Sequence, residues 1–569
     1  MEIKYAEMKD RAEDLKATYA NRDALFDEME QMYFIKDNMN APQSVMDRVK
    51  VTLSPDPRNK IIGAVRLLVA TDPVFSVPED EDQEVSSILE KFMQSMWMAA
   101  GKLNKSPIHY DLVLSAMLYG EAHLSLISTS DLLGLYKSTN SRVQERRAQK
   151  ALSRTPYLFE VLNPKQCYPA FDRLGLTEHY REIETTVGTV INDWGDKAAS
   201  LLKDKSIKDK ITLAEYWDLS KHGVWVKEAS DVPIMDVSHG MSFIPIEAGV
   251  TDGSIRLFSD PEQQRQPFLY ALAKSGLWNR QNLALTVMYT LTFAMGANPQ
   301  YLFKTDNLDN EPEIDESVIG GMIKILNGEE YAPMKRDILD PSIIRALEIA
   351  ERKITESTIF DQALGAPLGG SSPYSLVALL HQAGRLPLVS PQRRLEWLIG
   401  SAMEKALEWI VEDKDKKEVT AKYNTEAVLL ADQIPDNVEI MTKLDIDMPQ
   451  DMLQAASVVA NLKAHGVVSD EWILENILRE GQPEVMRQQI WSEKFANNLV
   501  QAMGQSEVQK LMARLQQAQQ PQQPGLPGMG GGQLPMPAQG PPGGPAVPGT
   551  EPMEPIPGPM TPPQNGGAA

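Results

Sequence analysis

Two carboxylate runs are the first residues in this chain that could do chemistry. Glu79 to Glu84, and Asp306, Asp309, Glu311, Glu313, Asp315 and Glu316, string enough oxygens together to hold a hard divalent cation. Their spacing misses the calcium-loop pattern, since the central glycine and the twelfth-position glutamate are absent. They read as solvated acidic loops. His109, His123 and His179 have no carboxylate or cysteine at ligand spacing in the sequence, so each reads as a strand or helix-surface residue. Cys167 is the single cysteine, which excludes an internal disulfide and any multi-cysteine zinc or iron–sulfur site. Gly365-Ala-Pro-Leu-Gly-Gly-Ser-Ser372 has the small residues of a phosphate cradle. It lacks the lysine that would follow, and Pro367 removes a backbone donor. It reads as a flexible loop. No Walker loop, GxGxxG turn or GxSxG elbow occurs. The most basic run, Arg142 to Arg154 with Arg146, Arg147 and Lys150, has no interleaved aromatics and reads as a solvated helix face. Residue chemistry therefore predicts no catalysis, no cofactor and no metal.

Charge and composition narrow the classes further. The chain has 569 residues, 56 Lys+Arg against 78 Asp+Glu, and a formal charge of −22. That opposes a protein that coats nucleic acid through a basic face, because such binding displaces counterions with Lys and Arg. It does not oppose one that handles DNA without gripping it. A hydrophobic content of 42% is enough for cores, and the length suggests roughly three or four folding units. The N-terminus runs straight into a charged helical pattern, with no apolar signal core. The longest apolar stretch, Leu283 to Ala297, is broken by Thr286, Thr290 and Thr292 and falls short of the roughly 18–20 residues that span a bilayer. It reads as a helix buried against protein. The expectation is a soluble protein with no membrane contact, made in a reducing compartment.

The elements follow from periodicity. Tyr5, Met8, Ala12, Leu15 and Tyr19 recur at helical spacing, and a helix through Ile61, Val65 and Leu68 follows the turn at Ser54–Pro57. Val74–Val77 is a short strand, and a helix runs through Ile88 and Phe92. Another starts at Ser106 with Pro107 as its first residue and ends at Gly120. Ala122–Ile127 alternates as a strand. A β-rich part spans Tyr157 to Ile246, with strands at Tyr157–Leu162, Ile211–Asp218 and Gly223–Lys227 and turns at Tyr168-Pro169 and Asp172–Gly175. Asp260-Pro261 and Asp340-Pro341 each open a long helix by the same chemistry: the aspartate accepts free backbone N–H groups, and proline loses nothing at the first position. The first is expected to run from Pro261 to about Phe293, on the order of 50 Å, with a kink at Gly276. A compact acidic insertion separates the two. A further long helix spans Tyr374 to about Glu412, interrupted near Pro387 and Pro391. Three helices lie between about Pro449 and Leu515. From Gln516 the chain is Gln, Pro, Gly, Met and Ala, a composition expected to be disordered.

This order resembles the portal proteins of tailed bacteriophages, the ring-shaped head-to-tail connectors. The resemblance covers nearly all of residues 1–515 as a pattern of weak local signals. They include Pro57-Arg-Asn-Lys-Ile-Ile-Gly63, Pro73-Val-Phe-Ser-Val77, Leu118-Tyr-Gly-Glu-Ala122, Val161-Leu-Asn-Pro164, Tyr168-Pro169, Asp172-Arg-Leu-Gly175, Asp340-Pro341 through Asp361-Gln-Ala-Leu-Gly-Ala-Pro367, and His465-Gly-Val-Val-Ser469. It implies an α+β, mainly helical fold with a wing at 1–258, a first stem helix at 259–295, a clip at 296–339 and a second stem helix at 340–364. A tunnel loop at 365–375, a long helix and wing closure at 376–446, a helical crown at 447–515 and the disordered tail at 516–569 complete it. The tunnel loop would present Gly365, Pro367, Leu368, Gly369, Gly370, Ser371 and Ser372 to DNA, and the clip carboxylates Asp306 to Glu316 would face partners. The resemblance further implies a twelve-subunit ring at one capsid vertex of the virion, assembled in the host cytoplasm. Double-stranded DNA would pass through it without sequence-specific binding. Terminase, head-completion adaptors, and the major capsid and scaffolding proteins would dock on it. An acidic channel would repel phosphate, so that DNA slides. The alternative is another virion adaptor or minor capsid protein, which predicts neither paired stem helices nor a pore. An enzyme using the acidic clusters is the third reading.

Overall fold

A computed structural model describes residues 4–36, 51–78, 83–138, 142–229, 232–296, 301–304, 330–333, 341–358, 374–413, 418–423, 426–435 and 438–444. All of these belong to one unit, Met1–Ser469; a second, Asp470–Ala569, lies outside the described residues. Helix and sheet are mixed, with helices the larger share.

In chain order the elements are α1 (Tyr5–Thr18), α2 (Ala20–Tyr33), α3 (Asp56–Leu68), β1 (Val74–Ser76), α4 (Gln83–Asn104), α5 (Ile108–Tyr119), β2 (Glu121–Ser128), α6 (Thr129–Ser138) and α7 (Arg142–Leu152). Then come β3 (Tyr157–Leu162), β4 (Cys167–Phe171), β5 (Leu176–Thr186), α8 (Val187–Leu201), β6 (Lys210–Asp218), β7 (Lys221–Val226), β8 (Met235–Ser238) and β9 (Ile246–Val250). The last group is α9 (Pro261–Gln264), α10 (Tyr270–Ser275), α11 (Leu277–Gly296), β10 (Tyr301–Lys304), β11 (Glu330–Pro333), α12 (Pro341–Glu356), α13 (Tyr374–Glu412), β12 (Glu418–Lys422), β13 (Glu426–Leu430) and β14 (Met441–Lys443).

The main core forms where α2, α3, α4, α5 and α13 close on the three-stranded antiparallel sheet β3-β2-β9. Helix α2 contributes Leu25, Phe26, Met29 and Met32, a stripe at three- and four-residue steps. Helix α5 is buried on every side, and Gly120 ends it in the left-handed conformation at φ 69°. Strand β2 sits between β3 and β9. Both its faces are covered, which is why its burial does not alternate as a one-sided strand would.

The second sheet is an antiparallel meander, β4-β5-β6-β7-β8. Its register aligns Tyr168 with Tyr180, Tyr180 with Tyr216, and Tyr216 with Gly223. The tyrosines pack beneath α1, against Met8, Ala12 and Tyr19. Gly223 carries no Cβ, and that space is taken by the sulfur of Met8. Lys16 to Glu182 (2.8 Å) and Arg11 to Glu178 (3.1 Å) tie α1 to β5 from its rim.

Several expectations are corrected. Tyr168-Pro169 is no turn but part of edge strand β4, where a proline without an N–H is tolerated because only one neighbour is paired. Helix α5 starts one residue late: Pro107 is its extended cap residue, and the Ser106 hydroxyl donates to the Asp111 carboxylate instead of capping the backbone. Pro387 and Pro391 do not interrupt α13. Each proline costs about 3 kcal/mol inside a helix. From Leu388 onward, Leu395, Leu398, Ile399, Ala402, Met403, Ala406, Leu407 and Ile410 enter the main core, and fully burying each large side chain returns roughly 1.5–3 kcal/mol. The packing therefore wins. The expected helix Pro261–Phe293 is three pieces, for reasons given below. Helix α7 does present Arg146, Arg147 and Lys150 to solvent, as expected.

Candidate functional site

The expected helix breaks because Arg265 is needed elsewhere. Asp260 caps α9, its carboxylate accepting from the Glu262 N–H at 3.0 Å. After one turn the backbone extends, and Gln266 N–H and Phe268 N–H donate to the carbonyls of Asp252 (3.1 Å) and Met117 (3.0 Å). Pro267, which cannot donate to a helix ladder, lies in this stretch. Arg265 is thereby turned into the protein, where its Nη2 donates to Glu121 Oε1 at 3.1 Å and to the Tyr19 hydroxyl at 3.2 Å, while Nε also reaches the Glu121 carboxylate. Arg22 approaches from α2, donating to the Cys167 carbonyl at 2.7 Å and lying 3.5 Å from Glu121 Oε2. Arg22, Glu121 and Arg265 are all fully buried. Both guanidinium groups lie over the Tyr19 ring, Arg22 at 4.3 Å and Arg265 at 4.9 Å from its centroid. Burial pushes the Glu121 carboxyl up, but Arg265, His123 and Arg22 together hold it well below the usual carboxylate range, so it stays ionised.

Glycine at 120 makes this approach possible. A Cβ there would meet the backbone of Gln266 and Pro267 at 2.7 Å. Gly276, at φ 64°, then ends α10 and lets α11 leave in a new direction.

The arm that leaves is a helix, a two-strand pairing and a returning helix. Helix α11 (20 residues) spans roughly 30 Å at 1.5 Å per residue. Strands β10 and β11 pair antiparallel from Tyr301↔Pro333 to Lys304↔Glu330. Helix α12 returns and packs against α11. The root of α11 is fixed by polar bonds to the extended segment before α3 and to the first residue of α3. Trp278 donates to the Ser54 carbonyl (3.2 Å), Asn282 accepts from Ser54 N–H (2.8 Å), Gln281 donates to Asp56 (2.7 Å), and Thr286 accepts from Thr52 N–H (3.0 Å). The buried side of α11 is thus largely polar. An extended segment leaves backbone donors and acceptors that only polar side chains satisfy. Large apolar side chains are exposed on both helices: Leu283 is 53% and Tyr289 52% exposed on α11, and Ile344 is 45% and Ile349 53% exposed on α12. Of the stretch expected to be a helix buried against protein, Thr286 is buried, Leu283 and Tyr289 are exposed, and Ala284, Leu285, Val287 and Met288 are half-buried.

The expected clip carboxylates Asp306, Asp309, Glu311, Glu313, Asp315 and Glu316 lie outside the described residues. So do the loop residues Gly365, Pro367, Leu368, Gly369, Gly370, Ser371 and Ser372, and the segments 447–515 and 516–569. The structure instead brings together residues the sequence reading kept apart. His109 is buried in α5 rather than on a helix surface, and among the described residues neither ring nitrogen has a hydrogen-bond partner. Burial lowers its pKa to about 4. His123 and His179 are buried too, and with Cys167 their ligand atoms lie within 4.8 Å of one another. The one local signal was in β2: Glu121 and His123 alternate with Ala122 and Leu124 in a strand that is buried throughout. Among the described residues, no helix is long and apolar enough to cross a membrane.

No protein-family model matches this chain, and no curated protein does. Solved structures similar to it include the neck of an empty gene transfer agent particle computed with C6 symmetry, at 11% identity and a TM-score of 0.40, covering 77% of this chain and 93% of the other. The neck of a native particle computed with C12 symmetry is similar at 12% identity and 0.37, covering 74% and 89%. A virion of the native gene transfer agent is similar at 11% identity and 0.37, covering 77% and 93%.

Proposed function

We propose that this chain is a portal protein, one subunit of a ring at a capsid vertex through which DNA enters and leaves. The observation that carries this reading is the arm from α11 to α12. A paired helix arm rooted in the body by polar bonds, with large apolar side chains exposed on both helices, fits a subunit whose stem packs against neighbouring copies. Burying Leu283, Tyr289, Ile344 and Ile349 between subunits would remove an apolar surface that a lone chain leaves in water.

In this reading residues 296–339, within which β10 and β11 pair, form the clip. Its carboxylates Asp306, Asp309, Glu311, Glu313, Asp315 and Glu316 face terminase and later the head-completion adaptors. Gly365, Pro367, Leu368, Gly369, Gly370, Ser371 and Ser372 line the channel, where small side chains follow DNA without fixed contacts. A charge of −22 per chain, repeated around twelve subunits, keeps phosphate off the wall at separations within a Debye length of about 8–10 Å. The protein performs no catalysis and needs no cofactor for transport; it works in the virion, with capsid and scaffolding proteins around it.

The test is assembly. Native mass of the purified chain is expected to show a closed ring, and the Leu283→Lys, Tyr289→Lys variant is expected to shift it toward monomer while the far-ultraviolet spectrum stays unchanged. A wild-type chain that stays monomeric at high concentration overturns the ring. A variant that still forms the ring overturns the assignment of this face.

A further inference from the structure

We propose that His123, Cys167 and His179 form a zinc site that locks the three-stranded sheet to the five-stranded meander. His123 comes from β2, the central strand of the first sheet. Cys167 opens β4 and His179 lies on β5, in the second. The register sets Cys167 opposite Arg181 and Pro169 opposite His179, so Cys167 and His179 are diagonal neighbours on adjacent strands. All three side chains are shut away from solvent, at 0%, 0% and 1% exposure for His123, Cys167 and His179.

The donor set and spacing suit a tetrahedral thiophilic ion. Two imidazole nitrogens and one thiolate are ligands that zinc takes readily. His179 Nε2 stands 3.2 Å from His123 Nδ1. Two nitrogens each about 2.0–2.1 Å from one tetrahedral zinc would stand roughly 3.3–3.4 Å apart, so this pair already stands near ligand spacing, and the Cys167 sulfur lies within 4.8 Å of both. The remaining nitrogen of His123 is already committed. Its Nε2 faces Glu121 Oε1 at 3.0 Å, and with Nε2–H donating there, the Nδ1 lone pair points at the other two ligands. A carboxylate behind a ligating histidine is the usual outer support of a zinc site, fixing tautomer and ring orientation. Glu121 is itself held by Arg265 and Arg22, and Arg22 also clamps the Cys167 carbonyl at 2.7 Å. The support therefore extends to each sheet. Among the described residues no fourth histidine, cysteine or carboxylate joins the group, which leaves the fourth position to a water molecule.

Binding is a plain ligand exchange. Zinc gives up bound waters for two imidazoles and the sulfur, the thiol proton leaves to solvent, and no electron moves.

The test uses the full chain, purified without an affinity tag or chelator. Elemental analysis is expected to find about one zinc per chain in the wild type and near none in Cys167→Ser or His179→Gln. Because a substitution in this buried cluster can also impair folding, a second measurement uses wild type alone. Apo protein reloaded with cobalt(II) is expected to show a sulfur-to-cobalt charge-transfer band and intense visible bands of tetrahedral cobalt. Zinc-free wild type that also gives no thiolate–cobalt band overturns the site, as does full zinc retention in Cys167→Ser. The ring reading stands or falls separately, since neither readout depends on assembly.

Discussion

Arg265 is the residue on which the junction between body and arm depends. It is fully buried, and it exchanges one helical turn for two bonds to Glu121 and one to Tyr19. Truncating one partner of a buried ion pair leaves the other uncompensated, a loss of about 3–5 kcal/mol. Arg265→Ala is accordingly expected to lower the unfolding free energy by about that much, read from the denaturant midpoint at constant slope. A loss within about 0.5 kcal/mol, the range of an ordinary surface substitution, would show that Glu121 finds adequate compensation from Arg22 alone. His109 makes a different prediction. Its folded pKa is lowered to about 4 by burial, against 6.5 for the unperturbed ring. The unfolded chain therefore takes up a proton that the folded chain refuses. Stability attached to neutral His109 is complete above pH 6.5 and falls as pH drops toward 4. At roughly 1.4 kcal/mol per pH unit the loss reaches about 3 kcal/mol. His123, His179 and His222 are also lowered by burial and add slope of the same sign, so unfolding measured across that window should show a slope clearly steeper in the wild type than in His109→Leu; equal slopes would contradict the role of His109. Neither residue's role was visible locally. Glu121 lies 144 positions from Arg265, and a histidine in a helix pattern looks the same whether that face meets water or core.

At the scale of elements, the glycines on either side of the junction separate shape from conformation. Gly120 and Gly276 both sit at positive φ, 69° and 64°. Gly120→Ala adds a methyl that meets the Gln266–Pro267 backbone at 2.7 Å, whereas Gly276→Ala meets nothing within 4 Å. The second should cost only the left-handed penalty of about 1–2 kcal/mol. The first must also push apart packed backbone, so its loss of thermal stability is expected to be clearly the larger; equal losses would contradict the tight approach of β2 to the 265–268 segment. Much of the element list was legible. Tyr5, Met8, Ala12 and Tyr19 announce α1 by spacing, Asp260 caps α9 as its type suggests, and Gly120 stops α5. The sequence reading marks no strand at Leu176–Thr186, and the reason is physical. Glu178 and Glu182 on β5 look like solvent-facing charges, yet Arg11 and Lys16 of α1 cover them from 167 and 166 residues away in sequence. The single long helix failed for the same reason: capping and periodicity are local, whereas the demand for Arg265 is not.

At the scale of the whole molecule, the mixed helical and sheet architecture was readable from element order, but the inward-facing side of α11 was not. Hydropathy marked Leu283–Ala297 as a helix buried against protein, without saying which of its side chains the body of the chain would cover. The fold turns Gln281, Asn282 and Thr286 inward and leaves Leu283 and Tyr289 out. In the portal reading, the large apolar side chains that α11 and α12 leave exposed are covered by other copies of the chain. Cryo-electron microscopy of the purified full-length chain tests this most directly. The account predicts a closed ring with a central channel wide enough for duplex DNA, with α11 and α12 of adjacent subunits in contact through Leu283, Tyr289, Ile344 and Ile349. A monomer, or a ring in which those side chains face solvent, would contradict it.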